Sequence, residues 1–131
     1  MADIKLPYGK GYLDVEIPDD RLNAVLVPDI HNYKPKSSQT ELVKQALESP
    51  IAFPRLRELA RNKNKIVIIA SDHTRPVPSK IIMPLILDEI RQGNPNADIT
   101  ILIATGFHRG TTTDELIAKF GAGIITLSIL S

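Results

Sequence analysis

Two apolar runs dominate the chain, and a polar block follows each of them at once. Ile66–Ala70 is continuously apolar and mostly β-branched, which is typical of a buried parallel strand. Ala97–Ala104 has a similar composition and predicts a second strand. Between the runs, apolar side chains recur at the spacing of a helical face, which ends at Gly93. These residues are Ile82, Leu85, Ile86 and Ile90. The pattern therefore predicts a strand, a helix and a strand.

A second helix is predicted after the second strand, over Asp114–Phe120, with Thr112 or Thr113 as its N-cap. Pro84 complicates the first helix, because proline in a helix interior removes a hydrogen bond. We expect that helix either to start near Ile82 or to be kinked at the proline.

The first part of the chain predicts short strands. Ile4–Pro7 and Tyr12–Ile17 flank a Gly-Lys-Gly turn, which favours a β-hairpin, and Ala24–Val27 is a third candidate strand. Residues 28–36 have the composition of a loop.

Two helices are predicted before the first apolar run. Ser38 and Glu41 have capping-box spacing and precede a helix over Thr40–Glu48. Pro54 is suited to be the first residue of another short helix.

The elements together predict an α/β fold, with a small N-terminal antiparallel β segment followed by a Rossmann-like βαβα parallel-sheet unit. We expect a single domain over 1–131, comprising a β cap and loop at 1–36, an α/β core at 37–120 and an atypical tail at 121–131. The tail is apolar and β-prone, and is expected either to complete the sheet or to pair with another copy.

Composition narrows the possible functions. Of 131 residues, 43% are hydrophobic and 24% are charged. The net charge of +1 does not indicate a nucleic-acid-binding protein. The chain has no cysteine, which excludes disulfides and thiolate metal sites. No apolar run is long enough to span a membrane, and no secretory signal is recognised, so we expect a cytoplasmic protein without a membrane partner.

The polar blocks at 71–80 and 105–115 contain the candidate chemistry. Because they follow neighbouring parallel strands, we expect both at one sheet edge, where α/β proteins bind ligands. They supply two imidazoles, two guanidinium groups and several hydroxyls, and Asp72 adds a carboxylate just after the first strand. Asp72 could instead form a local ion pair with Arg75, and His73 could serve only to satisfy backbone groups in the tight turn before Pro76. Metal-assisted hydrolysis by His73, His108 and Asp72 is a weaker alternative, because their spacing is not that of a compact metal site.

The motifs Ser71-Asp-His-Thr-Arg-Pro-Val-Pro-Ser-Lys80 and Ala104-Thr-Gly-Phe-His-Arg-Gly-Thr-Thr-Thr113 resemble those of the N-terminal domain of the nickel-dependent lactate racemase family. The resemblance extends to about Phe120. It implies a two-domain α/β enzyme that racemises a small 2-hydroxy acid such as lactate by hydride transfer. The implied cofactor is the nickel pincer nucleotide, pyridinium-3,5-bisthiocarboxylic acid mononucleotide nickel.

The resemblance also implies roles for individual residues. His108 matches a catalytic histidine that takes the hydroxyl proton. Asp72 and Arg75 match residues that line the cofactor and substrate pocket, and cofactor contacts are expected from Ser71 and Thr74 as well. Substrate binding is expected from Arg75, together with Arg109. No nickel ligand is expected among these residues, because the family's nickel-binding histidine, cofactor-bearing lysine and second catalytic histidine lie beyond Ser131.

We therefore expect a truncated racemase domain that binds no cofactor alone and is inactive in isolation. The alternative is a stand-alone module that binds an organic anion or nucleotide without catalysis. Exposed apolar surface predicts a homo-oligomer.

Overall fold

The computed structural model describes residues 1–130, and the chain divides into two compact units. The first unit, Met1–Pro35, contains β1 (Ala2–Tyr8) and β2 (Gly11–Ile17), which pair antiparallel from Ala2 opposite Ile17 to Tyr8 opposite Gly11. Gly9 lies in the turn with a φ of +58°, a conformation that glycine adopts without a steric cost. The predicted hairpin is confirmed.

The predicted strand at Ala24–Val27 is wrong. These residues have no strand assignment, and Leu26 is 92% exposed. A short β-branched segment becomes a strand only when a neighbouring strand accepts and donates its backbone hydrogen bonds, and β1 and β2 pair with each other instead. Two 3₁₀ turns, Asp19–Arg21 and Asp29–Asn32, complete this unit.

The second unit begins at Lys36 and has four helices and three strands among its described residues. In chain order these are α1 (Gln39–Glu48), α2 (Leu56–Leu59), β3 (Lys65–Ser71), α3 (Ser79–Gly93), β4 (Asp98–Ala104), α4 (Thr113–Phe120) and β5 (Ser128–Leu130). A 3₁₀ turn at Ala122–Ile124 precedes β5. In the part of the chain that the structure describes, no helix is long and apolar enough to cross a bilayer.

The three strands form one parallel sheet in the order β3-β4-β5. Along β3 and β4 the register runs from Lys65 opposite Asp98 to Ser71 opposite Ala104. The predicted α/β architecture, with an antiparallel segment before a parallel βαβα unit, is confirmed.

The tail does complete the sheet, as one of its two alternatives predicted. β5 pairs with β4 through Ile129 opposite Ile101, and Phe120 and Ile124 are buried in the same apolar cluster as Ile101. The residues after α4 therefore contribute to the core.

The core lies on one face of this sheet, because side chains alternate between faces along a strand. Its two clusters contain Met83, Ile101, Ile103, Phe120 and Ile124, and Ala60, Ile90, Ala97 and Ile99. On the opposite face, Val67 is 58% and Ile69 72% exposed. The core therefore joins the sheet to α2, α3 and α4, and among the described residues the opposite face of the sheet stays largely exposed.

The helix starts follow from local hydrogen bonds. Ser38 caps α1 as predicted, because its hydroxyl accepts from the Glu41 N–H at 3.3 Å. Pro54 is not the first residue of α2. Instead Arg55 occupies the N-cap, where its N–H donates to the Glu58 carboxylate at 3.3 Å, and the helix begins at Leu56.

Pro84 lies inside α3, which begins at Ser79, so the predicted start near Ile82 is wrong. Proline cannot donate to the carbonyl four residues earlier, which belongs to Lys80. Both Pro84 and Lys80 are exposed, so water can satisfy that carbonyl and the helix can continue through the proline.

Helices α2 and α3 are joined by a buried carboxylate. The side chain of Glu89 is 7% exposed and accepts from Arg57 Nε and Nη2, both at 2.7 Å, and from Arg55 Nε at 3.2 Å. The hydrogen bond from Arg57 lowers the pKa of Glu89 most. At the end of α3 the backbones approach so closely that a Cβ on Gly93 would lie 1.9 Å from the Arg57 carbonyl oxygen.

We predict that Gly93→Ala destabilises the protein by about 3 kcal/mol or more, because the added methyl group overlaps backbone atoms that cannot move independently. Helix propensity alone would give the opposite sign, a gain of about 0.5–1 kcal/mol. Urea unfolding measures the difference. Gly123→Ala is the control, since a Cβ there meets nothing within 4 Å. Equal stabilities of the two variants would contradict the prediction.

Candidate functional site

The candidate site lies where β3 and β4 end. Ser71 and Ala104 are the last paired residues of these strands, so the following loops, 72–78 and 105–112, leave the sheet at the same edge. Three side-chain contacts join the two loops, from Asp72 and Thr74 to His108 and from His73 to Thr111. The expected convergence of the polar blocks is confirmed.

A carboxylate–imidazole pair forms the centre of the site. Asp72 is 1% exposed, and its Oδ2 is hydrogen-bonded to His108 Nδ1. Its Oδ1 accepts from the Thr74 N–H at 3.1 Å and from the Thr74 hydroxyl at 2.7 Å. Among the described residues Asp72 has no ion pair with Arg75, so the alternative of a local pair is wrong.

These contacts keep Asp72 ionised although it is buried. The hydrogen bond from the Thr74 hydroxyl lowers its pKa most, and the bond from His108 adds to this effect, whereas burial opposes it. The resulting pKa is about 2. A carboxylate beside Nδ1 favours the tautomer with a proton on that nitrogen, which leaves Nε2 as the basic atom. The His108 side chain is 43% exposed, so a ligand can reach it.

His73 forms a second connection between the loops. Its Nδ1 lies 3.3 Å from the hydroxyl of the buried Thr111, and its Nε2 lies 3.7 Å from Glu115 Oε1. The side chain is 19% exposed. The role considered for His73, satisfying backbone groups in the turn before Pro76, is wrong, because among the described residues its ring contacts side chains of the neighbouring loop and helix.

Arg109 is held by the first turn of α4. Its Nη1 and Nη2 donate to Glu115 Oε2 and Oε1 at 2.9 and 2.6 Å, a bidentate pair. The same carboxylate accepts from the Thr112 N–H at 2.9 Å and completes a capping box. The hydrogen bonds from Arg109 lower the pKa of Glu115 most. Of the two residues able to cap α4, the structure selects Thr112.

Two further predicted site residues border the pair. Ser71 is half-buried at the end of β3, next to Asp72. Arg75 is exposed, and no ion pair to its guanidinium is found within the described residues 1–130. Its carbonyl accepts from Lys119 Nζ at 3.0 Å, which fixes the backbone of loop 72–78 against α4.

Sequence reasoning did not identify Phe107 or the full role of Glu115. Phe107 is completely exposed, between Gly106, which has a φ of +58°, and His108. An apolar residue inside a polar block was the available signal. For Glu115, the capping-box spacing from Thr112 was the available signal for its helix contact, whereas its pairing with Arg109 depends on the path of the loop.

The site does not contain a group of side chains arranged to ligate a metal. No set of three or more His, Asp and Glu side chains in residues 1–130 has the required proximity. His73 contacts Thr111 and Glu115, whereas His108 contacts Asp72, so the three residues of the hydrolysis alternative are used in separate pairs. The arrangement instead suits proton transfer at His108.

Comparisons with known proteins give consistent matches. The family model described as lactate racemase N-terminal domain matches residues 8–128. The lactate racemase of Thermoanaerobacterium thermosaccharolyticum is 54% identical over 125 residues, which are 95% of this chain and 29% of that protein. The lactate racemase of Lactiplantibacillus plantarum is 47% identical over 125 residues, with 95% and 30% covered.

A solved structure shares the fold. The lactate racemase apoprotein from Thermoanaerobacterium thermosaccharolyticum matches with a TM-score of 0.84 and 50% identity, over 98% of this chain and 30% of that chain. The chain thus spans about 30% of the length of the relatives it matches.

We predict that the Asp72 carboxylate makes the fold sensitive to acid. Because folding lowers its pKa from 3.8 to about 2, its contribution is fully present above pH 3.8 and is lost as the pH falls towards 2. The test is the urea midpoint of wild type and Asp72→Asn across this range. The difference between the two midpoints should shrink on acidification, and a constant difference would contradict the prediction.

Proposed function

The chain belongs to the lactate racemase N-terminal domain family, and we propose that it supplies the N-terminal part of an enzyme that interconverts the stereoisomers of a short 2-hydroxy acid such as lactate. The observation that supports this function most directly is the hydrogen bond between buried Asp72 and half-exposed His108, formed across the two loops. Racemisation of a hydroxy acid through its keto acid requires a group that removes and returns the hydroxyl proton. His108 is suited to that task.

His108 acts as the general base and acid in this proposal. With Nδ1–H donated to Asp72, the lone pair of Nε2 is available for the hydroxyl proton of the substrate. As the imidazole becomes positively charged, the neighbouring carboxylate stabilises it, and the low pKa of Asp72 means that the proton remains on the imidazole. Thr74 holds the other carboxylate oxygen and so fixes the orientation of the pair.

Arg75 is the proposed partner of the substrate carboxylate. It lies three residues after Asp72, and a guanidinium can bind a carboxylate through two parallel hydrogen bonds. Arg109, the other residue expected to bind substrate, is paired with Glu115. A contact from Arg109 to a ligand therefore requires a substrate anion to compete with that carboxylate.

The residues around the loops fit the anionic part of a nickel pincer nucleotide, but not its metal. Ser71 and Arg75 offer a hydroxyl and a guanidinium for an anion, whereas the Ser79 and Ile81 N–H groups at the start of α3 already donate to the Val77 and Pro78 carbonyls. Asp72 and Thr74 support this wall of the pocket through their contacts with each other and with His108. Residues 1–130 offer no ligand cluster for nickel. The bound nucleotide would supply a reversible hydride acceptor for C2 of the substrate.

We predict that, in a full-length enzyme containing this domain, His108→Gln lowers kcat by about 10²–10⁴, the usual contribution of a general acid–base residue. Asp72→Asn should lower kcat and alter the pH profile, because an amide favours the wrong tautomer of His108. Lactate racemisation followed by chiral chromatography measures both effects. His31→Gln in the N-terminal unit is the matched control and should retain activity. Full activity of His108→Gln would contradict the proposal.

The 131-residue chain alone is predicted to show no racemase activity, even with the nickel nucleotide added. Its described residues contribute His108 and the two loops, but no group of three or more side chains placed to ligate nickel. Calorimetry with lactate and with nicotinic acid mononucleotide, together with the racemase assay, tests this. Binding of either compound without turnover would favour the stand-alone binding module, whereas racemisation by the isolated chain would contradict the prediction.

A further inference from the structure

The Glu115 carboxylate accepts hydrogen bonds from several donors close to His108 in sequence. Both of its carboxylate oxygens bind Arg109, and Oε2 also accepts from the Thr112 N–H at 2.9 Å and the Thr112 hydroxyl at 3.1 Å. His73 Nε2 lies 3.7 Å from Oε1. One side chain, 28% exposed, therefore contacts both candidate loops.

These contacts hold the loop after β4 on the C-terminal side of His108. On the N-terminal side, the His108 N–H donates to the Thr105 carbonyl at 3.0 Å. Arg109 directly follows His108, and its side chain is fixed to the first turn of α4 through Glu115, while its Nη1 also donates to the Gly110 carbonyl at 3.0 Å. Glycines at 106 and 110 would otherwise leave the segment free to adopt many conformations.

We propose that Glu115 is a positioning residue for His108. Its hydrogen bonds with Arg109 and Thr112 hold the loop so that His108 Nδ1 stays hydrogen-bonded to Asp72 and His108 Nε2 stays free for the substrate. The proposal rests on the function of His108 proposed above. Glu115 itself touches none of the reacting atoms. Its effect passes through Arg109, which thereby has a structural use in addition to the substrate contact expected from sequence.

The negative charge of Glu115 is essential to this arrangement. A carboxylate has acceptor sites only, and all four contacts with Arg109 and Thr112 use it as an acceptor. In Glu115→Gln one oxygen becomes an NH₂ group, which faces the donors of Arg109 or Thr112 without a hydrogen bond. The bidentate pair between residue 115 and Arg109 should break, and the loop should sample conformations in which His108 is no longer hydrogen-bonded to Asp72.

The test is the tautomer of His108, read from two-bond ¹H–¹⁵N correlations of the imidazole in the ¹⁵N-labelled 131-residue chain at a pH where the ring is neutral. Wild type should show mainly the Nδ1–H form. Glu115→Gln should increase the Nε2–H form about fivefold, which is the scale of losing one hydrogen bond. A merely structural helix cap would not change this signature.

Glu41→Gln is the matched control. Glu41 occupies the equivalent position of α1, with its N–H donating to the Ser38 hydroxyl at 3.3 Å and its carboxylate accepting from that hydroxyl at 3.3 Å. This variant removes a capping carboxylate far along the sequence from the loops, so the His108 tautomer should remain as in wild type. A change as large as that in Glu115→Gln would overturn the proposal.

Arg109→Met is a second test of the proposal in case Glu115→Gln does not fold. It removes the guanidinium but leaves Glu115 to cap α4 through Thr112, so the same increase in the Nε2–H form is expected. An unchanged tautomer in Arg109→Met and in any folded Glu115→Gln would overturn the role of Glu115 while leaving the Asp72–His108 pair intact. A wild-type spectrum dominated by Nε2–H would overturn both that pair and the positioning role.

Discussion

The parallel pairing of β3 with β4 determines where the two loops of the candidate site begin. Their ladder ends with Ser71 beside Ala104, so the two loops start from adjacent points and run over the same edge of the sheet. A slip of one residue in the register of β3 against β4 would turn outward-facing side chains towards the core. It would also shift the two polar segments relative to each other. The apolar alternation that packs Ile101 against α3 and α4 thus also brings Asp72 to His108.

The site combines a buried charge with an accessible titrating group. Asp72 is almost fully removed from water, yet three hydrogen bonds from Thr74 and His108 compensate for its lost solvation. His108 remains open to a ligand. Glu89 follows the same principle away from the site, because Arg55 and Arg57 supply the donors that its buried carboxylate needs. In both cases the ionised form is retained through donors placed by separate elements of the chain.

Sequence reasoning was most successful where local chemistry determines structure. The β-branched run of β3 and the serine–glutamate spacing at Ser38 could be recognised from neighbours alone. Ala24–Val27 could not be decided in this way, because a strand depends on a partner for its ladder. Likewise, the convergence of the loops follows from strand order, whereas the pairing of Arg109 with Glu115 depends on the path of the intervening backbone. Contacts between residues far apart in the sequence, such as Arg57 with Glu89, produce no periodic pattern from which they could be predicted.

The topology also has a consequence for the order of folding. Lys65 and Asp98 are paired although α3 separates them in sequence, so β3 and β4 can meet only after the chain between them has closed into a loop. Non-local pairing of this kind forms late and slowly compared with helices. The contact between Asp72 and His108 lies at the far end of that ladder. Its appearance during refolding therefore reports that the central sheet has already formed, which makes the site itself an indicator of the native state.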